Sequence, residues 1–428
     1  MNEAFLSFIW KFRLYHPHLI STSGEQITVD SAGEQHNNSG PDFFNARIRI
    51  GSTLWAGNVE IHSRASDWYR HSHQLDDAYT NVILHVVYEA DADIILNDQR
   101  VVPTLELKGF MKPEVHNQYF ELARSTNSIP CSHSLSNVPS ITVQTWLDRM
   151  LVERLEQRAD AIQEALHVSG NDYEQAFYEI LAGGFGFHIN ALPFTMLTRI
   201  LPYKLLRKHA GDILLCEALV YGQAGMLNES ADETIEDAYF RELRSHYKFL
   251  SGKYKLLPLD AHLWKFLRMR PVNFPTIRLS QFTELITTLP ALFRSFLDAS
   301  SSNECMELLN VKASAYWDTH YVFGKPAPGR QKRLGRESAV VLLINTVAPF
   351  LFMYGKWSGD ESHCRKALDL ISALPAEKNR IIQEWKLAGL NCTSAYDSQA
   401  AIGLYKNYCI KKNCLICSIG TAILRNSK

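Results

Sequence analysis

The stretch SGPDFFNARIRIGSTLWAGNVEIHSRASDWYRHSHQLDDAYTNVILHVV, Ser39–Val87, decides how the rest of the chain is read. Phe44, Ala46, Ile48 and Ile50 alternate with Asn45, Arg47 and Arg49, the period of two of a half-buried strand. Gly51-Ser52 turns the chain, and Thr53–His62 returns it with Trp55, Val59 and Ile61 as the inward set. Ser66–Tyr79 predicts a loop with a short helix. Val82–Glu89 is apolar almost throughout and predicts a strand buried on both faces. Asp42, Glu60 and His62 thus fall at the ends of adjacent strands, where side chains are free for metal chemistry.

Outward from this stretch, Phe5, Phe8, Ile9, Phe12 and Tyr15 recur at helical spacing before Pro17, and Glu25–Asp30 predicts a short strand. Residues 92–107 suggest a further hairpin. From about Ser136 the pattern becomes one of long helices, with Trp146, Leu147, Met150, Leu151 and Leu155 forming the first apolar stripe. Pro and Ser cluster between residues 110 and 136, which divides an α/β domain over 1–115 from a helical domain over 136–428. The expected class is α+β: a mixed sheet with flanking helices, then a mostly α-helical domain.

The chain has 428 residues, 46% hydrophobic and 21% charged, the composition of a globular protein with real cores. Its net charge of −1 excludes wholesale coating of nucleic acid, while leaving room for local basic patches. The N-terminus lacks the charged, apolar and small-residue regions of a signal peptide. The most apolar run, VVLLINTVAPFLFMYG, predicts a buried helix rather than a span. Eight cysteines in so long a chain give no disulfide framework, so the expected compartment is a reducing cytoplasm, with no membrane partner.

Two carboxylates held together, Asp42 and Glu60, recruit a hard divalent ion such as Mg²⁺ or Mn²⁺. The adjacent imidazole of His62 orients or deprotonates a bound water, and widens the choice of metal toward softer ions. The segment that follows is rich in His and Asp. His73, Asp77 and Tyr79 are candidates to support the site, and Glu34 could add a carboxylate. His85, set among Val and Leu, reads as a core histidine, and His71 as solvent-facing.

A Pro-Asp at the start of one hairpin strand and a Glu-x-His near the end of the next resembles the pattern of the PD-(D/E)xK, restriction-endonuclease-like nuclease superfamily. Pro41-Asp42 stands as the PD, Glu60 as the D/E, and His62 where the lysine usually sits. The resemblance covers roughly the first quarter of the chain. It implies metal-dependent hydrolysis of DNA or RNA with Asp42 and Glu60 as ligands. The whole chain also resembles an uncharacterised bacterial domain-of-unknown-function family. Two other readings fit the same residues. One is a catalytically inactive nuclease fold serving as a scaffold or nucleic-acid-binding module. The other is a His/carboxylate metallohydrolase of a small phosphorylated substrate.

The register sets a condition on all of this. A two-residue turn pairs Ile50 with Thr53, and a straight ladder carried back sets Asp42 opposite Ile61, facing away from Glu60 and His62. The site therefore requires a bulge near Pro41–Phe43.

Two other features stand apart. Cys409, Cys414 and Cys417 have C-x4-C-x2-C spacing with Cys392 upstream, a set that could hold Zn²⁺ or an iron–sulfur cluster, or equally be reduced cysteines on a terminal helix. Arg268, Arg270 and Arg278, and then Lys325, Arg330, Lys332, Arg333 and Arg336, lie among Gly, Pro and Phe. They suit phosphate contacts, or solvated loops and caps.

Overall fold

The computed structural model describes residues 1–36, 39–228 and 237–426. It divides into two compact units: 1–148 with 383–390 and 402–428, and 149–382 with 391–401. The first carries a mixed sheet and the second is mostly helical, which makes the class α+β.

The first unit opens with helix α1 (Glu3–Phe12), capped by Asn2, whose side chain accepts the Ala4 N–H at 2.7 Å. Its buried face runs over Phe5, Phe8, Ile9 and Trp10, and the Trp10 indole donates to the Ala32 carbonyl at 3.0 Å. The helix ends at Arg13 in the left-handed region, before Pro17 is reached. The strands are β1 (Leu19–Ile20), β2 (Gln26–Ser31), β3 (Glu34–Gln35), β4 (Phe43–Ile50), β5 (Thr53–Arg64), β6 (Val82–Glu89) and β7 (Thr104–Glu106). Their order is β1-β2-β4-β5-β6-β7, with β3 also on β4. The β2, β4 and β5 strands are antiparallel neighbours; β5, β6 and β7 run parallel. Parallel neighbours need a crossover. Helix α2 (Asp67–Arg70) and two short 3-10 turns make it, laying Trp68 and Tyr79 over Val82 and Val87. Of the hairpin expected at 92–107, a single Ile95–Val101 bridge forms, and Thr104–Glu106 pairs with β6 instead.

The Gly51-Ser52 turn pairs Ile50 with Thr53 as read from the sequence. The ladder does not run straight to Asp42. It shifts between Phe43 and Ala46, because Phe43 pairs with Val59 while Ala46 pairs with Gly57. One extra residue in β4 faces Asn58, and Asn45 takes φ 58° to accommodate it. The inward residue becomes Phe43, fully buried, and Phe44 is only half-buried. Trp55, expected inward, is 39% exposed, since the first four residues of β5 are uncovered. On its other side β5 also changes register at Asn58: Asn58 pairs with Val82 but Val59 with Leu84. Gly57 makes this close approach feasible, as a Cβ there would fall 2.5 Å from Ile83 Cγ2 and 2.7 Å from the Asn81 carbonyl.

After helix α3 (Pro113–Arg124), helix α4 (Ser140–Glu156) leads into the second unit, whose core is aromatic. Phe177 packs on Phe350 with centroids 5.0 Å apart, and Tyr178 on Phe282 at 5.5 Å. The apolar helix over Arg336–Ser358 is long enough to cross a membrane, yet 72% of its most apolar 18-residue stretch is buried in the fold. It is a core helix with a π-helical turn at Leu343–Val347, immediately before Pro349. A proline there cannot donate to the Asn345 carbonyl, and the Arg158 guanidinium takes that acceptor at 2.9 Å.

Candidate metal centre

The bulge decides the chemistry of the sheet. With one extra residue in β4, Asp42 comes alongside Glu60 rather than Ile61. The Asp42 N–H donates to Glu60 Oε2 at 3.1 Å, and the Ile61 N–H donates to Asp42 Oδ2 at 3.0 Å. Asn58 holds the kink: its side-chain oxygen accepts from Asn45 N–H at 3.4 Å and its own N–H donates to the Asn81 carbonyl at 2.9 Å.

Glu60 and His62 are two residues apart on β5, so they share a face. Both are buried, 5% and 2% exposed. In the parallel ladder Glu60 pairs with His85, which brings a second imidazole to that face. His62 Nδ1 lies 2.8 Å from His85 Nε2, and His62 Nε2 lies 3.2 Å from His71 Nδ1. His62 Nε2 and His73 Nε2 each stand 3.4 Å from Glu60 Oε1. One ligand atom from each of His62, His71 and His73 falls within 4.8 Å of the others. The crossover segment is held against the sheet by Trp68, whose ring meets those of His73 and His85 at 5.5 and 5.3 Å, and by Tyr79, stacked on His73 at 3.9 Å.

Burial sets the charge state. It raises the Glu60 carboxyl to about 9, with the Asp42 charge adding to it, and raises Asp42 to about 6. The Glu3 carboxylate pushes both in the same direction. Burial, with neighbouring imidazoles, lowers His62 to about 3 and His73 to about 4, and drives buried His85 down as well. The His62–Glu60 and His73–Glu60 contacts are therefore neutral imidazoles beside a carboxyl rather than ion pairs, in keeping with their 3.4 Å length. Neutral imidazoles and buried carboxyls without a cation at hand make a donor set that fits a divalent metal, which would stabilise the ionised carboxylates. Among the described residues, the nearby Arg70 instead pairs with Asp67 at 3.0 Å.

Another buried acid shows the contrast. Glu217 in the second unit accepts from Ser280 Oγ at 2.5 Å, Ser314 Oγ at 3.0 Å and the Tyr239 hydroxyl, so its oxygens are already taken by structural donors.

Of the site residues read from the sequence, Asp42, Glu60, His62, His73 and Tyr79 come together. Two do not. Glu34 lies exposed on β3, paired with Phe44, and Asp77 is an exposed residue opening a 3-10 turn. Glu3 and Asn58, which the sequence does not single out, also belong to the site; His85 is buried and His71 exposed, as read from the sequence, yet both reach the His62 ring. The pairing of Glu60 with His85 follows from parallel register, which a single chain does not display. Glu3 is brought in by α1, and its Oε1 accepts the Ser63 N–H at 3.4 Å.

The other assignments change too. Cys392 belongs to the second unit, where Asp397 is its acidic neighbour, whereas Cys409, Cys414 and Cys417 belong to the first. Arg278 is 4% exposed, bonded to Asn273, Gln281 and Ser338 and stacked over Phe187, and so is a core arginine. Lys332 is 3% exposed, its ammonium on the carbonyls of Trp317 and Asp318. Neither is placed to meet a phosphate. Arg268, Arg270, Lys325, Arg330, Arg333 and Arg336 are exposed.

No curated protein and no solved structure matches the chain. A family model does match, over residues 3–380, and the chain belongs to that family, described as protein of unknown function (DUF2851).

Proposed function

We propose that the protein is a metal-dependent phosphodiesterase acting on DNA or RNA. The observation that carries this is the β4 bulge, which seats Asp42 beside Glu60 on the face that holds His62. The order α1, three antiparallel strands, crossover helix and parallel strand also agrees with what the PD-(D/E)xK resemblance implies. Asp42 and Glu60 would hold the ion. Nearby imidazoles favour Mn²⁺ over Mg²⁺. The bound ion would supply Lewis acidity at the phosphoryl oxygen and a more acidic water.

His62 takes the role of the missing lysine. For Nε2 to accept a proton from the attacking water, the Nδ1–H must donate to His85 Nε2, 2.8 Å away. The water oxygen then bonds to phosphorus, its proton passes to His62, and the P–O bond to the leaving nucleotide breaks. Burial keeps His62 neutral at pH 7, and ionised Asp42 and Glu60 beside it would raise its basicity. The exposed basic residues of the second unit are candidate phosphate contacts.

The His62, His71 and His73 grouping favours a second reading, a zinc metallohydrolase of a small phosphorylated substrate. The test is the purified full chain with Mn²⁺ or Mg²⁺ on single- and double-stranded DNA and RNA. Cleavage that Asp42→Asn and Glu60→Gln each abolish supports the nuclease; a wild type that leaves every form intact removes it. Zinc that co-purifies and is lost in His71→Ala, with turnover of a small phosphodiester alone, selects the second reading.

A further inference from the structure

A cavity of about 790 Å³ opens within the second unit, and none of its lining residues takes part in the sheet centre. It lies among α5 (Ala159–Val168), α6 (Tyr173–Phe185), α7 (Ala191–Ile200) and the core helix Arg336–Ser358. Near its C-terminal end α6 carries Gly183-Gly184. A Cβ at Gly184 would fall 2.6 Å from Thr346 Oγ1 and 2.8 Å from Leu342 Cδ2, and one at Gly183 would fall 3.0 Å from Thr195 Oγ1. The helices can therefore close on one another there, with bare backbone lining the wall. Beyond α6 the chain reverses at Phe187, φ 50°, whose N–H donates to the Gly184 carbonyl at 2.9 Å. The Arg278 guanidinium over its ring fixes Phe187 as a second wall. The rim, at Ala161, His188 and Val341, is exposed, while Ile162, Leu342, Thr346 and Pro349 are buried at the floor.

The polar groups of the cavity are few and of one sign. Arg158 lines it, and no Asp or Glu does. The π-helical turn ahead of Pro349 leaves the Asn345 carbonyl open, and the guanidinium is oriented by two contacts there. Nη1–H donates to that carbonyl at 2.9 Å, and Nη2–H to the Asn345 side-chain oxygen at 3.0 Å. Two of the five N–H donors are so used, and the other three have no partner among the described residues. The acidic neighbour of Arg158, Glu377, is itself engaged by the Gln399 amide. Thr346 is 4% exposed, and its hydroxyl has no hydrogen-bond partner among the described residues.

These groups select the ligand. Buried donors without acceptors are costly, and a guanidinium short of acceptors in a partly apolar setting is best met by an anion. A single guanidinium balances a single negative charge, and its planar fork matches the two oxygens of a carboxylate. Ile162, Ile180, Phe187, Leu342 and Pro349 supply walls for a hydrocarbon body. A polyanion such as a nucleotide would bring charges that nothing else in the lining offsets.

We propose that this cavity binds an apolar monocarboxylate, with the carboxylate on Arg158 and the Thr346 hydroxyl and the hydrocarbon body along the apolar walls. The site rests on none of the sheet centre's residues, and it stands whether or not that centre cleaves phosphodiesters.

The test is calorimetric titration of the full chain with decanoate, kept below its micelle concentration, beside decanol and decyl phosphate. Decanoate should saturate a single site per chain, and decanol should bind about 10–100-fold more weakly, the worth of a hydrogen bond to a charged group. Arg158→Gln should weaken decanoate by a similar factor and leave decanol unchanged, a difference that a merely structural arginine would not produce. Should that variant not fold, Ala161→Trp, a change at the exposed rim, fills the mouth and should abolish binding of both. Decanoate that never saturates, decanol bound as tightly as decanoate, decyl phosphate bound more tightly, or decanoate binding unchanged in either folded variant would each overturn the proposal.

Discussion

Glu60 is the residue on which the sheet centre's behaviour turns, and pH exposes it. Its folded carboxyl, raised to about 9, holds a proton that the unfolded chain releases in the ordinary carboxylate range. The metal-free fold is thus favoured at low pH and loses that advantage as pH climbs through about 9. Asp42, raised to about 6, and the unfolded-chain imidazoles of His62, His73 and His85, all neutral when folded, have finished titrating by about pH 8. Between about pH 8 and 9, then, Glu60 is the member of the centre that still sets the slope, with a ceiling of about 1.4 kcal/mol per pH unit. Urea unfolding of metal-free wild type should show stability falling across that interval, while Glu60→Gln stays nearly flat; equal slopes would contradict the assignment. Saturating Mn²⁺ should remove the wild-type fall, because the ion takes the place of the proton. His85 is the second residue of consequence. His85→Leu deprives His62 of the partner that fixes its ring, and metal affinity or cleavage should drop about 10–100-fold. His85→Gln, which retains an acceptor for His62 Nδ1–H, should recover most of the loss. Equal losses in both variants, read by Mn²⁺ titration, would assign His85 to packing alone.

At the scale of the element, the bulge in β4 can be removed and its effect read. Deleting Asn45 removes the extra residue, and a regular ladder then runs from the Gly51-Ser52 turn through Phe44 opposite Asn58 to Phe43 opposite Val59, which keeps Asp42 opposite Glu60. The sheet should still form, also relieved of a non-glycine residue at φ 58°. Divalent metal binding should stay within a few-fold of wild type, with near-native far-UV circular dichroism. Binding lost in a folded deletion would mean that the kink at Asn45, and not the pairing of Asp42 with Glu60, makes the site. Much of this geometry could be read from the chain: alternation in Ala46–Ile50 gave the strand, the Gly-Ser pair gave the turn, and the chemistry of paired acids demanded a break. The break's location could not be read, because it is fixed by Asn58, whose side chain and N–H are engaged across two strands at once. Phe43 and Phe44 are both apolar, so alternation chose the wrong one to bury. His85 looked like any core histidine until the parallel register set it beside Glu60. Arg278 and Lys332 carried charge without any mark of their burial, since their partners are neutral groups, among them the Ser338 hydroxyl for Arg278 and the Trp317 and Asp318 carbonyls for Lys332.

On the scale of the whole molecule, the first unit is closed by the end of the chain, which local patterning could not reveal. The described residues from 402 onward belong to one compact unit with those of 1–148, although more than half the sequence lies between. The C-terminal helix Ser418–Arg425 buries Ile419, Ile423 and Leu424, and the Arg425 guanidinium stands over the Phe12 ring at 4.9 Å. At roughly 1.5–3 kcal/mol for each buried aliphatic side chain, this helix is a large share of the stability of a marginally stable domain. Truncation after Cys417 removes that packing. The truncated chain should lose about 4.5–9 kcal/mol from the unit it closes, the range for those three side chains. Hydrogen exchange is the suitable measurement because it reports region by region. Amides of α1 and of β4 and β5 should exchange faster, while those of the aromatic core around Phe177, Phe282 and Phe350 change little. Faster exchange confined to that aromatic core would mean that the chain end stabilises the helical unit instead, and the sheet would then have to hold its shape without it.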